Sequence, residues 1–448
     1  MWKNSMLKRS TFILTLLLLI AATTGQLNAQ DNSKAKSGSF YSAVGFGYPA
    51  DVYSPETMGI GLSGVSNYSG LSSNFANPAH WGLIRFTQGS IGLGLDSFKS
   101  VDNTNSSKST MLGIESFQFA FPLLRDKLGV SLSFMPVVRA DFKRRENGFI
   151  DPFPETSQED VEYLISRLGT GGLNRFEAGL GFQPSNNISL GYAFSANLLA
   201  IDNNVTPIFS NLQYTPAPYE IDIEGYDFGH RFGIYAYKGG ILRNDDQLSV
   251  GATVSLPVSI DAERTVSSFR TVNNQRVLIE LNENDPQRDG TVKLPLEFNT
   301  GLTYNLNRLS NFVAELKLQN WDDAKFSFNP IQQGYFKDRM KVGLGYQYHP
   351  YRADQRDGFF SNFKYSIGTT YDNGHLSIND QDIETILFHG GIGIMTGLNS
   401  QRSYSSIDLS FHYGIRGTDS SNLVKETIWG FKLSLNLAEF MFVQQKFQ

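Results

Sequence analysis

The strongest constraint on the fold of this 448-residue chain is a period-two alternation of apolar residues with small or polar ones. In the segment MKVGLGYQY, every second residue from Met340 to Tyr348 is apolar, and Lys, Gly or Gln stands between them. The segment IWGFKLSLNL alternates in the same way from Trp429 to Leu437. Successive side chains of a strand point to opposite faces, so each such segment predicts a strand with one apolar face.

This alternation recurs along the chain and predicts an all-β fold. We place strands at 83–97, 109–122, 127–141, 172–184, 187–201, 221–238, 246–263, 290–306, 310–328, 336–349, 360–373, 383–397, 404–415 and 424–438. Many are longer than the roughly 5 to 6 residues of globular strands, and they fit the roughly 9 to 11 residues that cross a bilayer at a tilt. About fourteen such strands, an even number, predict a transmembrane antiparallel β-barrel.

Composition favours a barrel over a soluble core. Charged residues make up 18% of the chain, below the roughly 25% of soluble domains, and there are 42 glycines and 13% aromatic residues. A soluble β-sandwich or propeller stays open as an alternative, because it also contains many evenly spaced strands. Its inner faces would have to form a dry core, whereas one face of each segment here is small or polar. No blade-length repeat supports a propeller.

The first 29 residues predict export. MWKNSMLKRS is a basic stretch, TFILTLLLLIAATT is apolar, and LNA forms a cleavage site before Gln30. A membrane helix is the alternative, but its apolar core is shorter than the roughly 20 residues of a span. Export followed by barrel strands predicts an outer-membrane location. The absence of cysteine excludes a disulfide scaffold, and a net charge of -5 argues against a nucleic-acid partner.

Short turns and long polar segments alternate between the predicted strands. QPSNN and NLNRLSN are short, whereas 142–171, 202–220 and 264–289 are long and polar. Barrels place short turns in the periplasm and long loops outside. Within the first long segment, SQEDVEYLISRLG predicts a short helix, because Ser157 precedes Asp160 by three residues and apolar residues follow at helical spacing. These apolar residues are Val161, Leu164, Ile165 and Leu168.

No catalytic or metal-binding motif is evident, so we expect no enzyme, cofactor or metal site. The six histidines are scattered, without HExxH or GxSxG. His389 and His412 fall on the parity that faces the lumen, and a membrane hydrolase assembled from neighbouring strands stays open. The acidic run NENDPQRDG fits either a solvated loop tip or a site for calcium or lipopolysaccharide.

The stretch MGIGLSGVSNYSGLSSNFANPAHWGL resembles the N-terminal hatch of the FadL family, the outer-membrane channels for long-chain fatty acids and hydrophobic compounds. The matching positions are Gly59, Gly61, Gly64, Asn77, Pro78 and Ala79. KLPLEFNTGLTYNLN resembles a second family motif. The resemblance implies a signal peptide at 1–29, a tail and hatch at 30–81 and a barrel at 82–448. His80-Trp81 departs from the family pattern, and the C-terminal tail resembles Bacteroidetes-type barrels, in which Phe447 would serve assembly.

The resemblance also implies a function: passive uptake of hydrophobic small molecules such as long-chain fatty acids. In the family, a kinked third strand opens the barrel sideways to the bilayer. Pro136 lies in the third predicted strand and cannot donate to the ladder, so we expect a kink there. A harmless bulge is the alternative, and Pro257 and Pro295 are competing kinks.

A fatty-acid site would need one cation for the carboxylate in an apolar pocket. Arg139, Arg175 and Lys341 are the candidates, with lumen lining or lipopolysaccharide contact as their alternative roles. A second function stays open. The chain is similar to PorV-like interaction barrels of a protein secretion system, which bind or anchor exported proteins. The expected partners are therefore a hydrophobic small molecule, outer-membrane lipid and lipopolysaccharide, and an exported protein or secretion-system component.

Overall fold

The computed structural model describes residues 37–440, apart from 71, 73, 104, 151–160, 211–216, 273–274, 282–284, 308, 351–358, 397–402 and 421–422. The predicted signal peptide and Phe447 lie outside the described residues. The strands are β1 (Tyr48–Pro49), β2 (Thr87–Val101), β3 (Ser106–Leu124), β4 (Leu128–Arg139), β5 (Phe142–Ile150), β6 (Val161–Ser185), β7 (Ile188–Phe209), β8 (Tyr219–Gly239), β9 (Gln247–Ser255), β10 (Val258–Val272), β11 (Gln275–Glu280), β12 (Asp289–Leu294), β13 (Glu297–Asn305), β14 (Ser310–Gln319), β15 (Lys325–Phe326), β16 (Arg339–Tyr348), β17 (Phe363–Asp372), β18 (Ser377–Ile378), β19 (Gln381–Asp382), β20 (Thr385–Thr396), β21 (Ser403–Arg416) and β22 (Lys425–Glu439).

All of these strands except β1, β18 and β19 form a closed antiparallel barrel of fourteen strand positions in the described part of the chain, and β18 and β19 form a separate two-stranded sheet. Three positions are interrupted by bends, at β4/β5, β9/β10 and β11/β12/β13, and β15 extends the position of β14. The barrel closes where β2 pairs with β22, from Thr87 opposite Glu439 to Val101 opposite Lys425. This confirms the predicted fold class, and the predicted strands match the barrel positions closely.

The alternation of the sequence becomes the two faces of the wall. Along β7, Phe194 and Leu198 are 41% exposed and point outward, whereas Ser195 and Asn197 are buried against the lumen. β7 and β8 continue this pattern across their shared ladder. The apolar outer band suits lipid, and the polar inner face suits a lumen that is filled with polar groups.

The helices are short. They are the 3₁₀ turns Phe40–Ala43, Met58–Ile60, Pro78–Leu83, Trp321–Asp323 and Phe359–Asn362, and one α-helical turn, Pro330–Gln333. Within the described residues, no helix has the length and apolar character that a membrane crossing requires.

The helix that we predicted within SQEDVEYLISRLG is wrong where it is described. Residues 157–160 lie outside the described part, and Val161 begins β6. β6 pairs there with β5 and then with β7, with Ile165 opposite both Glu146 and Pro207. Pairing on both edges outweighs the helical spacing of four apolar residues, because local propensity yields to tertiary hydrogen bonding.

The predicted long polar loops are also wrong in part, because much of each segment is strand. β5 and β6 occupy 142–150 and 161–171, β7 runs to Phe209, and β10 and β11 cover most of 264–280. The strands project beyond the apolar band, where both faces of the sheet meet polar surroundings. These segments are polar because they lie beyond the membrane, and their polar composition does not indicate that they lack strands.

We call the end of the barrel with the Leu124–Leu128 and Ser185–Ile188 turns the short-turn end, and the opposite end the long-hairpin end. Short turns face the periplasm in outer-membrane barrels. An apolar core lies toward the long-hairpin end, where Phe46 packs against Trp321, Phe326 and Phe336. Inward residues of β4, β6, β7, β8, β10 and β12 complete this core.

Candidate functional site: a filled lumen and a gap in its wall

Residues 37–86, here called the N-terminal segment, lie against the inner wall of the barrel. Inward glycines on many strands make room for its backbone. A Cβ added to Gly191 would lie 2.1 Å from the Pro78 carbonyl carbon, and one added to Gly368 would lie 2.1 Å from the Ile60 oxygen. The same close approach occurs at Gly129, Gly181, Gly233, Gly251 and Gly391. Any larger side chain at these positions would displace the segment.

The three predicted motif glycines lie in the part of the segment that runs between β16, β17 and β20. Gly61 and Gly64 have φ of +70° and +92°, a region that glycine adopts most easily. A Cβ on Gly61 would lie 2.3 Å from the His389 ring, and one on Gly59 would lie 2.7 Å from Ser366. The motif therefore combines a left-handed turn with close packing against the wall.

Asn77 is the best connected residue of the predicted NPA step. Its side-chain oxygen caps the Pro78–Leu83 turn by accepting the Ala79 N–H at 3.0 Å. Its Nδ2 donates to the carbonyl oxygens of Val65 and Ile234, both at 2.9 Å. The unusual Trp81 that follows is buried and donates to the Asn74 oxygen at 2.9 Å. The step thus ties two parts of the segment to each other and to β8.

Charged side chains of the barrel strands bind the N-terminal segment at several positions along the barrel axis. The Glu315 carboxylate of β14 accepts four hydrogen bonds at 2.7 to 2.8 Å, from Ser63 N, Ser63 Oγ, Gly64 N and Val65 N. Successive N–H groups that converge on one carboxylate form an anion-binding nest. Glu315 was not among the predicted site residues. Its only sequence signal is a charge at inward parity in NFVAELKLQ.

A second tie joins β8 and β6 to the segment. Arg231 donates to the Ala76 and Phe75 oxygens at 2.7 Å each and pairs with the buried Glu177. Further ties join Lys364 with Glu56, and the Glu426 carboxylate with the N–H of Phe40 and the hydroxyl of Ser39.

Asp51 forms the most heavily charged tie. Its Oδ2 accepts from Arg339 Nη2 at 2.9 Å and from Lys341 Nζ at 2.8 Å. Burial opposes ionisation of this carboxyl, but Arg339 and Lys341 hold the pKa of Asp51 well below its ordinary value. Asp51 therefore stays charged inside the barrel and stays paired with the wall.

The three predicted carboxylate contacts occupy different places. Arg139 Nη2 pairs with Glu115 at 2.8 Å and lies beside a gap in the wall. Arg175 Nε donates to Asn197 Oδ1 at 3.0 Å on the inner wall, and Lys341 pairs with Asp51. The structure does not bring the three together, and their role toward a substrate stays a prediction.

The gap is an interruption of the ladder between β3 and β4. These strands pair only near the short-turn end, from Leu124 opposite Leu128 to Phe117 opposite Phe134. Farther out, β3 pairs with β2 alone, whereas β4 pairs with β6 and β1. Among the described residues, no ladder joins β3 to β4 or β5 on the long-hairpin side.

Gly38 of the N-terminal segment stands in this gap. Its N–H donates to the Asp141 oxygen at 3.1 Å, and its own oxygen accepts from Ser109 Oγ at 2.7 Å. A Cβ on Gly38 would lie 2.5 Å from the Asp141 oxygen, so only glycine fits. Across the same gap, Arg139 Nη1 lies 3.6 Å from Met111 Sδ.

Two cavities flank Gly38. The outer cavity has a volume of about 1000 Å³ and is lined by polar, charged and apolar residues of the N-terminal segment, β3, β5, β6 and β7, among them Phe40, Ser107, Lys108, Asn147 and Ile208. The inner cavity has a volume of about 100 Å³ and is lined by Asp96, Met111, Arg139, His389 and His412. The gap thus borders a space that is large enough for a small molecule.

Each of the three predicted proline kinks lies at a strand irregularity. Pro136 lies at a register shift between β4 and β6. Pro257 separates β9 from β10, and Pro295 separates β12 from β13. Pro136 is the one next to the interrupted β3–β4 ladder, whereas a lateral-opening role for it stays a prediction. His389 and His412 stand directly opposite each other on the inner wall, with ring centroids 6.0 Å apart.

A sequence model of one protein family covers nearly the whole chain. The model is described as BamG and matches residues 6–448. The chain belongs to the BamG family. No curated protein sequence matches this BamG-family chain.

Solved structures match the fold of this BamG-family chain. A Pseudomonas aeruginosa FadL homologue is 12% identical, with a TM-score of 0.55 over 88% of this chain and 99% of that chain. The Ralstonia pickettii toluene transporter TbuX is 14% identical, with a TM-score of 0.50 over 91% and 100%. The P. putida toluene transporter TodX is 13% identical, with a TM-score of 0.50 over 88% and 100%.

These matches have low identity, so they carry the fold alone. The protein has a FadL-like outer-membrane barrel, which confirms the predicted fold and location. The Bacteroidetes-type assignment stays a prediction.

Proposed function

We propose that this protein is a passive outer-membrane channel for hydrophobic small molecules, such as long-chain fatty acids. In this proposal the solute enters the outer cavity and leaves sideways into the bilayer between β3 and β4. The observation that carries the proposal is the interrupted β3–β4 ladder beside a cavity of about 1000 Å³. Two of the structural neighbours, TbuX and TodX, are toluene transporters, which supports a hydrophobic solute.

The sideways route requires less rearrangement than a route along the barrel axis. An axial route must break the ties at Asp51, Glu315 and Arg231, which are buried and charge-assisted. Sideways release requires residues 37–40 to move, which breaks the contacts of Ser39 and Phe40 with Glu426, and it requires the Arg139–Glu115 pair beside the gap to open. The N-terminal segment would act as the predicted hatch, with its boundary near residue 81, and a downhill flux of apolar solute needs no energy source.

The predicted site residues take definite roles in this proposal. Pro136 lacks an N–H for the ladder, so it favours the bend of β4 away from β3. Arg139 lies beside the gap and would meet a substrate carboxylate there after exchange from Glu115. Arg175 and Lys341 are alternatives deeper in the barrel.

A reversible cross-link across the gap tests this route. Because the chain has no cysteine, Met111→Cys with Arg139→Cys can be joined by a reducible bis-thiol linker. Outer-membrane vesicles that contain lipopolysaccharide would be mixed with the apolar dye N-phenyl-1-naphthylamine, and dye uptake followed by fluorescence. We expect uptake to fall severalfold on linking and to return on reduction.

The matched control joins Ser406→Cys with Asn436→Cys, which stand directly opposite each other in the intact β21–β22 ladder. Linking this pair should leave uptake unchanged. Equal uptake before and after linking of the gap pair would exclude the sideways route.

A second candidate function is that of a sealed interaction barrel, PorV-like, which binds or anchors an exported protein or a secretion-system component. The observation that favours it is the lumen, because the inner cavity holds only about 100 Å³ and charged ties fix the segment. A barrel of this kind offers a rigid surface instead of a conduit. Stoichiometric co-purification of one protein, together with dye uptake that the gap cross-link does not change, would favour this candidate.

A further inference from the structure

We propose that the outward face of β22, β2 and β3, at the long-hairpin end, is a docking surface for phosphate groups of the outer-leaflet lipid. The surface consists of Lys99, Lys108, Lys425 and the ring of Trp429, and we call it the lysine face. It lies outside the lumen, and its Lys108 also lines the outer cavity.

The ladder places the lysines together. Lys99 stands directly opposite Lys108 in the β2–β3 ladder, and Lys425 stands opposite Val101, two residues farther along β2. The three side chains are exposed. They share the outward parity of Leu93, which is 38% exposed, whereas their neighbour Ser100 points inward to Glu426.

No carboxylate neutralises the lysine face in the described part of the chain. Lys108 Nζ lies over the Trp429 ring at 5.7 Å, and Lys99 and Lys425 have no ion-pair partner there. Like charges directly opposite each other destabilise a ladder. The nearest acidic side chain along the hairpin, Asp102, accepts the Asn105 N–H at 2.6 Å. An external anion would relieve the Lys99–Lys108 repulsion.

The height of the lysine face selects a lipid headgroup as that anion. Along β22, the outward residues from Leu437 to Phe431 are apolar, then come Trp429, Thr427 and Lys425. Aromatic residues mark the edge of the apolar band in outer-membrane barrels. The ammonium groups therefore lie just beyond the acyl region, at the level of phosphorylated headgroups, and Lys and Arg bind phosphate by charge.

The outward surface of the barrel is not uniformly cationic, because β7, β8 and β10 present an acidic face. There Asp202 stands opposite Asp222, and Glu224 stands opposite Glu263, on the outward side of the wall. Asp202 and Asp222 would repel phosphate there, whereas Glu263 is paired with Arg288. In the described part of the chain, the lysine face and the acidic face thus present opposite charges to the surroundings of the barrel, and the lysine face is the one suited to an anionic headgroup.

The test compares Lys99→Gln/Lys108→Gln with Lys127→Gln/Lys238→Gln. The second pair removes the same charge from exposed positions at the short-turn end. Purified full-length proteins in detergent would be titrated with lipid A that carries both phosphates, and binding followed by the shift in unfolding temperature. We expect about a fivefold loss of affinity per lysine removed in the first pair, and no loss in the second.

Two further arms separate the sources of the effect. Dephosphorylated lipid A should bind the wild-type protein no better than it binds the first variant, and inorganic phosphate at the same concentration should shift neither protein. Without lipid, the first variant should unfold no earlier than wild type, because it loses a like-charge pair. Equal affinity of wild type and first variant, or equal binding of dephosphorylated lipid, would overturn the proposal. A full effect of inorganic phosphate alone would reassign the face to free anions.

Discussion

At the residue scale, the inward glycines set how closely the N-terminal segment approaches the wall. Gly191→Ala places a methyl group 2.1 Å from the Pro78 carbonyl carbon, so the segment must shift. Overpacking of this kind costs about 1 to 3 kcal/mol. The unfolding temperature can be measured by semi-native electrophoresis, as the temperature at which the folded band converts to the unfolded band. We expect this conversion temperature to fall.

The control for this prediction is Gly89→Ala. Gly89 is also a strand glycine, but a Cβ there would meet no atom within 4 Å. Its conversion temperature should stay at the wild-type value. Equal behaviour of the two variants would show that the segment does not press on the wall at Gly191.

His80 gives the fold a pH dependence. Its ring is buried between Tyr68 and Tyr235, and both ring nitrogens lack a hydrogen-bond partner among the described residues. Burial lowers the pKa of His80 from 6.5 to about 3. The unfolded chain therefore binds the proton first, and stability is intact above pH 6.5. Below that pH it falls by about 1.4 kcal/mol per unit until the pH nears 3.

His80→Phe removes the titrating ring and keeps an aromatic group of similar shape. We expect the wild-type conversion temperature to fall between pH 6.5 and pH 4 and that of the variant to fall less. Parallel curves for the two proteins would contradict a buried neutral His80.

At the element scale, β14 holds residues 61–67 of the N-terminal segment through Glu315. Glu315→Gln replaces one of the two accepting oxygens by an NH2 donor, so either the Ser63 N–H or the Gly64 and Val65 N–H groups lose their acceptor. We expect faster amide hydrogen exchange at residues 61–67, with the strands still protected. Glu297→Gln is the control, because Glu297 pairs with Lys317 and Gln319 and not with the segment. Unchanged exchange in Glu315→Gln would exclude the tie.

The membrane-spanning parts of the strands were the easiest to predict from the sequence. The parts of the strands that extend beyond the lipid were the hardest to predict. Period-two alternation located β16 and β22 because one face meets lipid along the whole crossing. Beyond the lipid both faces are polar, so the outer parts of β5, β6 and β10 looked like loops. Val161 and Leu164 fitted a helix by spacing, and only the partner strands decide between the two structures.

The candidate site was predictable where backbone geometry requires a residue type. Gly61 and Asn77 follow from motif resemblance and have clear physical roles in the structure. Glu315, Glu177 and Arg231 carry no local pattern, because each is a single charge whose partner lies far away in sequence. Their pairing depends on the closed barrel, which no short motif contains.

At the scale of the whole molecule, the fourteen-strand wall and the N-terminal segment are separable. Among the described residues, the β1–β4 pairing is the short ladder that joins the N-terminal segment to the wall, and apart from the separate β18–β19 pair the other ladders join wall strands to each other. Deleting residues 40–80 should therefore leave a folded barrel and raise the leak of small polar solutes in a liposome-swelling assay. A folded deletion variant with unchanged leak would count against a hatch role for the segment.

Native mass spectrometry of the intact protein, released from outer membranes in gentle detergent, tests the proposed channel most directly. We expect a bound apolar or amphipathic small molecule, which is lost when Ser107→Trp and Asn147→Trp fill the outer cavity. An empty barrel that carries a stoichiometric protein partner would contradict the channel and favour the interaction barrel.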